Sequence, residues 1–376
     1  MSFSTKQYEL MARAIHLAKK AWYTTSPNPR VGCVIVDGNN DIVGEGYHKK
    51  AGQPHAEVHA LQMAGEKAKG ATAYVTLEPC SHYGRTPPCA EGLIKAGVKK
   101  VICAMVDPNP QVSGNGIRIL EQAGIDVETG LMEAEAKALN PGFIKLMEKQ
   151  LPFVRCKLAS SLDGKTAMAS GESKWITSPQ AREDAQRLRA QSCAIITGAD
   201  TVIFDDARLN VRWQQLGFLK EDYAESDIRQ PTRIVIDSQN RLTPELAIFN
   251  QQSPIVIVCQ KQNKDHQWPE YVSFVEVPLN SNTNKVDLGF MLRALAKSGF
   301  NDILVEAGET LAGAFIEANL VDELILYQAP ILMGSAGRSL CSMPSVEQLR
   351  QSKQLAIKSI VQVGPDFKVT AGFKEN

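Results

Sequence analysis

Up to Met105 the apolar positions change period several times. Leu10, Met11, Ala14, Ile15, Leu17 and Ala18 recur at helical spacing behind Ser4 and Gln7, which read as a capping box, so the pattern predicts an opening helix. Thr24-Thr25-Ser26-Pro27-Asn28-Pro29 breaks it. Two apolar runs, 31–36 and 42–46, flank Asp37-Gly38-Asn39-Asn40 and predict a β-hairpin. A helix is expected over 55–64, a buried strand over 73–77, a second helix over 89–96 and another strand over 100–105. Strands alternating with helices imply a layered α/β domain.

Around Asn140-Pro141-Gly142 and Leu151-Pro152 a helical stretch gives way to a new strand at 153–158, which predicts two domains, 1–148 and 149–376. The second alternates in the same way. A helix follows Ser178 with Pro179 at its first position, then strands at 193–197, 233–237, 254–259 and 272–277, a helix from Asp287, and a strand at 303–306 entering a glycine turn and a helix. The polar stretches 214–230 and 280–285 read as exposed loops. Length agrees, since 376 residues at about 150 per domain predict two to three domains.

Composition removes several function classes. Hydrophobic residues make up 44% and charged residues 22%, ordinary for globular proteins. Lysine plus arginine equals aspartate plus glutamate at 41 each, spread evenly over both halves, which argues against a nucleic-acid or anionic-membrane partner. Lys6, Glu9, Arg13, Lys19 and Lys20 leave no apolar core for a signal peptide, and no run approaches the roughly 18 apolar residues of a membrane span. Eight cysteines are too sparse for a disulfide framework, so reduced thiols or metal ligands in a cytoplasmic protein are expected.

The sharpest chemical signal is His55-Ala56-Glu57 at a helix start, followed by Pro79-Cys80 and then Cys89. One imidazole and two thiolates suit tetrahedral zinc and leave a fourth position open for water, whose pKa zinc lowers from 15.7 to about 7. Glu57 lies beside the ligands yet free to shuttle protons, the arrangement of nucleobase deaminases. Those enzymes usually place two residues between the cysteines; here Ser81-His82-Tyr83-Gly84-Arg85-Thr86-Pro87-Pro88 intervenes. His59 and His82 are alternative ligands, and Cys33 and Cys103 read as small core residues. In the second half no dinucleotide or Walker fingerprint occurs. The turn Ala307-Gly308-Glu309-Thr310-Leu311-Ala312-Gly313 could hold a pyrophosphate at a helix N-terminus or be ordinary strand-to-helix punctuation.

Thr25-Ser26-Pro27-Asn28-Pro29-Arg30-Val31-Gly32, the His-Ala-Glu triplet and the stretch from Leu77 through Cys89 resemble the bifunctional riboflavin-biosynthesis deaminase-reductase family. Lys157 through Ala167, Gly171 through Thr177, Arg187 through Ala190, Thr201 through Asp206 and Leu209 through Arg212 extend the likeness over nearly the whole chain. The resemblance implies a cytidine-deaminase-like three-layer domain followed by a dihydrofolate-reductase-like domain. It implies zinc-dependent hydrolytic deamination of a 2,5-diamino-6-ribosylaminopyrimidinone 5′-phosphate, then NADPH-dependent reduction of ribosyl to ribityl. By the same resemblance His55, Cys80 and Cys89 hold zinc, Glu57 is the acid/base and Asn28 contacts substrate. Ala159, Trp175, Thr201, Asp205, Ser238, Gly308, Glu309, Thr310, Leu311, Ala312, Gly313 and Ala314 are implied NADPH contacts. Ser173, Arg189, Leu209, Arg212 and Glu306 are implied substrate contacts, with Lys157 beside C1′ or simply paired with a carboxylate. The partner is then a phosphorylated small molecule, and a homo-oligomer stays open. Two other readings stand: a nucleoside or tRNA-base deaminase with an unrelated tail, and a zinc-stabilised binding module whose fourth ligand is a residue such as His82.

Overall fold

The Ser4 capping box forms: its side chain accepts from the Gln7 N–H at 3.3 Å while Gln7 Oε1 accepts from the Ser4 N–H at 2.8 Å, opening helix α1 (Thr5–Lys19). The structure, a computed structural model, describes residues 3–81, 83, 87–110, 112–281 and 283–374. It comprises two units, Met1–Gln150 and Leu151–Asn376.

The first unit continues through β1 (Gly32–Val36), β2 (Ile42–Tyr47), α2 (Ala56–Ala64), β3 (Thr72–Val75), α3 (Cys89–Lys95), β4 (Lys100–Cys103), α4 (Asn115–Gln122), β5 (Asp126–Thr129), α5 (Glu133–Leu139) and α6 (Pro141–Lys149). Its sheet runs β2-β1-β3-β4-β5, antiparallel across β2, β1 and β3 and parallel from β3 to β5. Glycines set the layers. A Cβ on Gly32 would lie 2.0 Å from the Ala14 carbonyl of α1, and one on Gly46 would lie 2.3 Å from the Ala56 carbonyl of α2. Cys33, not Gly32, pairs with Gly46, and successive residues point to opposite faces, so α1 and α2 cover opposite sides of the sheet. Cys33 and Cys103 are fully buried between them.

The second unit contains β6 (Phe153–Ser161), β7 (Lys165–Ala167), α7 (Pro179–Gln191), β8 (Ala194–Gly198), α8 (Ala199–Asp205), α9 (Leu219–Asp222), β9 (Thr232–Ile236), β10 (Ile255–Cys259), β11 (Val272–Glu276), α10 (Leu288–Lys297), β12 (Asp302–Glu306), α11 (Glu309–Glu317), β13 (Glu323–Ala329), β14 (Arg338–Ser339), β15 (Leu355–Val363) and β16 (Asp366–Phe373). The large sheet has the order β11-β10-β9-β8-β12-β6-β13-β16-β15. From β11 to β13 every pairing is parallel, so those strands end on one edge, and β12 inserts between β8 and β6 where the order reverses. The 214–230 stretch departs from the exposed loop expected of it. It carries α9 and buries Leu216 and Leu219, at 0% and 2% exposure, because two apolar anchors suffice to pin an otherwise polar segment. The strands after residue 320 carry no sequence expectation; β15 is exposed along most of its length and shows no clean alternation to read.

Candidate active sites

His55 is the N-cap of α2 with extended backbone (φ −74°, ψ 169°), and its side chain makes no capping bond, leaving the imidazole free to turn outward. The close seat of α2 on Gly46 fixes that end. Cys80 follows β3, and Glu78 anchors the intervening turn: its carboxylate accepts from the N–H groups of Asp107 at 3.0 Å, Gly114 at 3.0 Å, Gly116 at 2.8 Å and Ile117 at 3.4 Å. Only glycine fits at 116, where a Cβ would lie 2.1 Å from the Pro79 carbonyl. Cys89 opens α3 and donates its N–H to Cys80 Sγ at 3.2 Å.

These elements bring one donor atom each from His55, Cys80 and Cys89 within 4.8 Å of one another. His55 Nδ1 lies 3.3 Å from Cys89 Sγ and 3.5 Å from Cys80 Sγ. A tetrahedral zinc with bonds near 2.05 Å to nitrogen and 2.3 Å to sulfur sets that nitrogen–sulfur edge at about 3.6 Å, so the donor set fits the ion in chemistry and in size. The hydrogen bond from Cys89 is the main influence holding the Cys80 thiol down at about 4, with His55 adding to it, while the same bond and burial push Cys89 up. One proton thus sits between two thiols, and a bound cation displaces it. Glu57, in the first turn of α2, is 3% exposed. Burial, with the Cys80 thiolate nearby, raises its carboxyl to about 7.

Sequence reading missed His48, which has no motif to mark it. Its Nδ1 lies 3.2 Å from the Pro54 carbonyl, so the ring donates there and leaves Nε2 as an acceptor for the Asn28 amide at 3.4 Å. His48 is 3% exposed, its pKa is lowered by burial, and its ring stands edge-on to His55 at 5.3 Å. Asn28 is thereby tied to the metal cluster through one intermediate ring. His59 is half-buried one turn along α2, outside the cluster. His82 lies outside the described residues.

The second constellation lies on the carboxyl side of the parallel strands. Glu306 ends β12 and pairs in register with Lys157 of β6. From α7, Arg189 grips Glu306 bidentately, Nε to Oε1 at 2.6 Å and Nη2 to Oε2 at 2.9 Å, and Nη1 donates to the Asn210 carbonyl at 3.0 Å. Two of its five N–H groups remain. Burial alone would raise the Glu306 carboxyl, but Arg189, Lys157 and Arg212 hold it below its ordinary value. Arg212 is exposed, and its pKa is lowered by burial of part of the side chain and by Arg189 and Arg208 nearby. Lys157 forms no ion pair among the described residues, so the carboxylate pairing open in the sequence is not made.

The remaining candidates divide by accessibility. Gly308 and Thr310 are exposed and Glu309 and Leu311 half-buried at the start of α11, where N–H groups lack helical acceptors. Ala312 and Gly313 are buried, and the Ala312 N–H already donates to Gly308. A Cβ on Gly313 would lie 1.9 Å from the Ser342 carbonyl, so that glycine admits a neighbouring loop. Ala314 is half-buried one turn in. Lys174 Nζ donates to the Asp205 carbonyl at 3.1 Å, joining the Ser173–Trp175 segment to the end of α8, which also carries Thr201. Trp175 is 66% exposed with the Arg182 guanidinium 4.5 Å over its ring. Leu209 is buried at φ +53°, which leaves its backbone as the part able to meet a ligand. Ala159 and Ser238 are half-buried, on β6 and just beyond β9.

Residues 4–105 match the family of the cytidine and deoxycytidylate deaminase zinc-binding region, and residues 152–369 match that of the RibD C-terminal domain. The Escherichia coli K12 riboflavin biosynthesis protein RibD is 56% identical over 95% of this chain and 96% of its own length. The Haemophilus influenzae protein of the same name is 49% identical over 98% of each. Among solved structures, Acinetobacter baumannii RibD superposes with a TM-score of 0.89 at 45% identity, covering 98% of this chain and 99% of that one. A Thermotoga maritima diaminohydroxyphosphoribosylaminopyrimidine deaminase/5-amino-6-(5-phosphoribosylamino)uracil reductase does so with 0.84 at 31% identity and the same coverage.

Proposed function

The chain belongs to the bifunctional riboflavin-biosynthesis deaminase-reductase family, and on that premise we propose which residues carry its two reactions. It is a zinc-dependent deaminase and an NADPH-dependent reductase in one polypeptide. Residues 1–148 are the deaminase domain and 149–376 the reductase domain. The substrate is 2,5-diamino-6-(5-phosphoribosylamino)pyrimidin-4-one, the compound class in the name of the Thermotoga relative. An unrelated second half is ruled out by the match over 152–369. The enzyme works on small molecules in the cytoplasm, without nucleic-acid or membrane partners; among the described residues no helix is long and apolar enough to cross a membrane.

When bound, zinc supplies the Lewis acidity that eases ionisation of water, and NADPH supplies hydride for the ribosyl carbon. His55, Cys80 and Cys89 hold the metal. Glu57, shielded from solvent beside that donor set, takes a proton from the attacking water and delivers it to the departing amino nitrogen, so water enters and ammonia leaves. His48 fixes the Asn28 amide by taking one of its N–H groups, which turns Asn28 Oδ1 away to accept from the pyrimidine.

In the reductase domain Arg212 binds the substrate phosphate with the two free N–H groups of Arg189, a use suited to the planar guanidinium fork. Lys157 presents a proton-bearing ammonium at the ribosyl carbon, and Glu306 orders Arg189. Ser173 and the Leu209 backbone complete the substrate side. The free N–H groups from Gly308 to Leu311 receive the cofactor pyrophosphate, while Ala159, Trp175, Thr201, Asp205 and Ser238 line the rest. Ala312, Gly313 and Ala314 support that turn from within the helix.

The observation that carries this reading is the convergence of His55, Cys80 and Cys89 beside buried Glu57. Purified protein supplied with the pyrimidine ribosylamine phosphate and NADPH should release ammonia and then lose NADPH absorbance. Ammonia release without NADPH oxidation would sink the reductase assignment.

A further inference from the structure

Lys157 is a half-buried cation that the neighbouring carboxylate does not hold. Both oxygens of Glu306 are taken by Arg189, at 2.6 and 2.9 Å. What faces the ammonium is an aromatic ring: Lys157 Nζ lies 5.8 Å from the ring centroid of Tyr327 on β13. Tyr327 is 1% exposed and its ring is held firmly. Its hydroxyl donates to Asp184 Oδ2 at 2.5 Å, and Asp184 is claimed again by Lys368 at 2.7 Å and Arg187 at 2.9 Å. Lys368 Nζ also lies 5.7 Å from the same ring. The charges acting on Lys157 are Glu306 from β12 and Arg189 from α7, while Asp184 and Arg187 of α7 and Lys368 of β16 gather about the Tyr327 hydroxyl and ring. Each carboxylate among them already serves an arginine or another lysine.

We propose that Tyr327 is a positioning residue for reduction, its ring fixing the Lys157 ammonium by a cation–π contact where a carboxylate would otherwise stand. A lysine on a four-carbon stem points wherever its end is held. A carboxylate would hold it by consuming N–H donors; a ring face attracts the charge and leaves all three donors for the ligand. Donation of the Tyr327 hydroxyl to an anion enriches the ring and strengthens that face. The inference rests on the reading that Lys157 works at the ribosyl carbon.

The test uses the full-length, zinc-loaded protein with Phe, 3,5-difluorophenylalanine or 3,4,5-trifluorophenylalanine at position 327, each nearly constant in shape. Reduction of deaminated substrate is followed by NADPH absorbance. Tyr327→Phe should stay within about threefold of the parent kcat, and kcat should then fall with each fluorination, by about 2- to 30-fold in all, as the ring face loses negative potential. Both KM values and the deaminase rate should hold. A flat series, or a loss confined to KM, overturns the proposal. Lys157→Met separates the two ideas. If it abolishes reduction while the fluorinated series is flat, Tyr327 alone is misassigned; if it reduces at the parent rate, the Lys157 reading fails and the Tyr327 proposal with it.

Discussion

Replacing Arg189 with alanine should unsettle the reductase domain far more than removal of a surface charge. The Arg189 and Glu306 side chains are only 14% and 11% exposed, so water screens their attraction little. Removing one partner takes both hydrogen bonds from a buried carboxylate and leaves it only the weaker pull of Lys157 and Arg212, a change that typically costs about 3–5 kcal/mol. For a unit the size of Leu151–Asn376, where each kcal/mol shifts the midpoint by roughly 2–4 °C, the reductase transition should fall by about 6–20 °C. Arg189→Ala with Glu306→Gln removes the stranded charge and should recover much of the loss. Acid supplies an independent check. Arg189 holds the Glu306 carboxyl below its ordinary value, so the pair stabilises at pH above the unfolded carboxyl value of about 4.3 and fades as pH falls through the lower folded one. The gap between parent and Arg189→Ala should therefore narrow in acid. Differential scanning calorimetry from pH 7 downward measures all of this. If Arg189→Ala melts within a degree of the parent at pH 7, the buried pair does not stabilise the domain and the argument fails.

Glu57→Gln should lose about 100- to 10,000-fold in deamination, the usual worth of a positioned acid–base group, while retaining zinc and oxidising NADPH at the parent rate with deaminated substrate; loss of both activities in a folded, zinc-loaded variant refutes separate sites. Cys89→Ser should lose most of its zinc along with deamination, because one of three protein donors becomes a poor one, and stoichiometric metal by atomic absorption would contradict it. Arg212→Ala should raise the KM of reduction for the phosphorylated substrate and leave a phosphate-free analogue unaffected. An equal loss on both makes Arg212 structural.

The metal site was legible because its chemistry is written in short segments: a histidine ending a loop, a carboxylate two residues on, and cysteines bracketing a turn. Geometry added the residues that hold those segments. Glu78 and His48 act across 29 or more residues of sequence in one case and through a ring nitrogen and a backbone carbonyl in the other, so no local period could reveal them. The central strands of the second domain were legible as apolar runs, whereas β15 and β16 were not: β15 is an edge strand exposed along most of its length, and β16, which joins it to β13, is mostly half-buried or buried, so neither shows the alternation that burial of one face imposes. The glycine turn after β12 was legible as a turn only. Its split into free N–H groups at 308–311 and buried helix at 312–313 depends on where α11 closes its first hydrogen bond.

A common physical logic governs both sites, and it explains why spacing alone could not apportion roles among the charged residues. In each, neighbours satisfy one member of a close set and leave another available. The Cys89 side chain hydrogen-bonds to Cys80, and with His55 and the Cys89 N–H it favours a thiolate there. Arg189 takes both oxygens of Glu306, and Lys157 makes no contact ion pair among the described residues. His48 occupies one N–H of Asn28 and so aims the opposite end of the amide. A residue type therefore states what chemistry is possible at a position, and the hydrogen bonds already spent around it decide which group is left to perform it. Arg189 and Arg212 make the point most directly: the same side chain, twenty-three positions apart in sequence, in one case spends two of its five donors on a carboxylate and a third on a backbone carbonyl, and in the other is exposed to solvent.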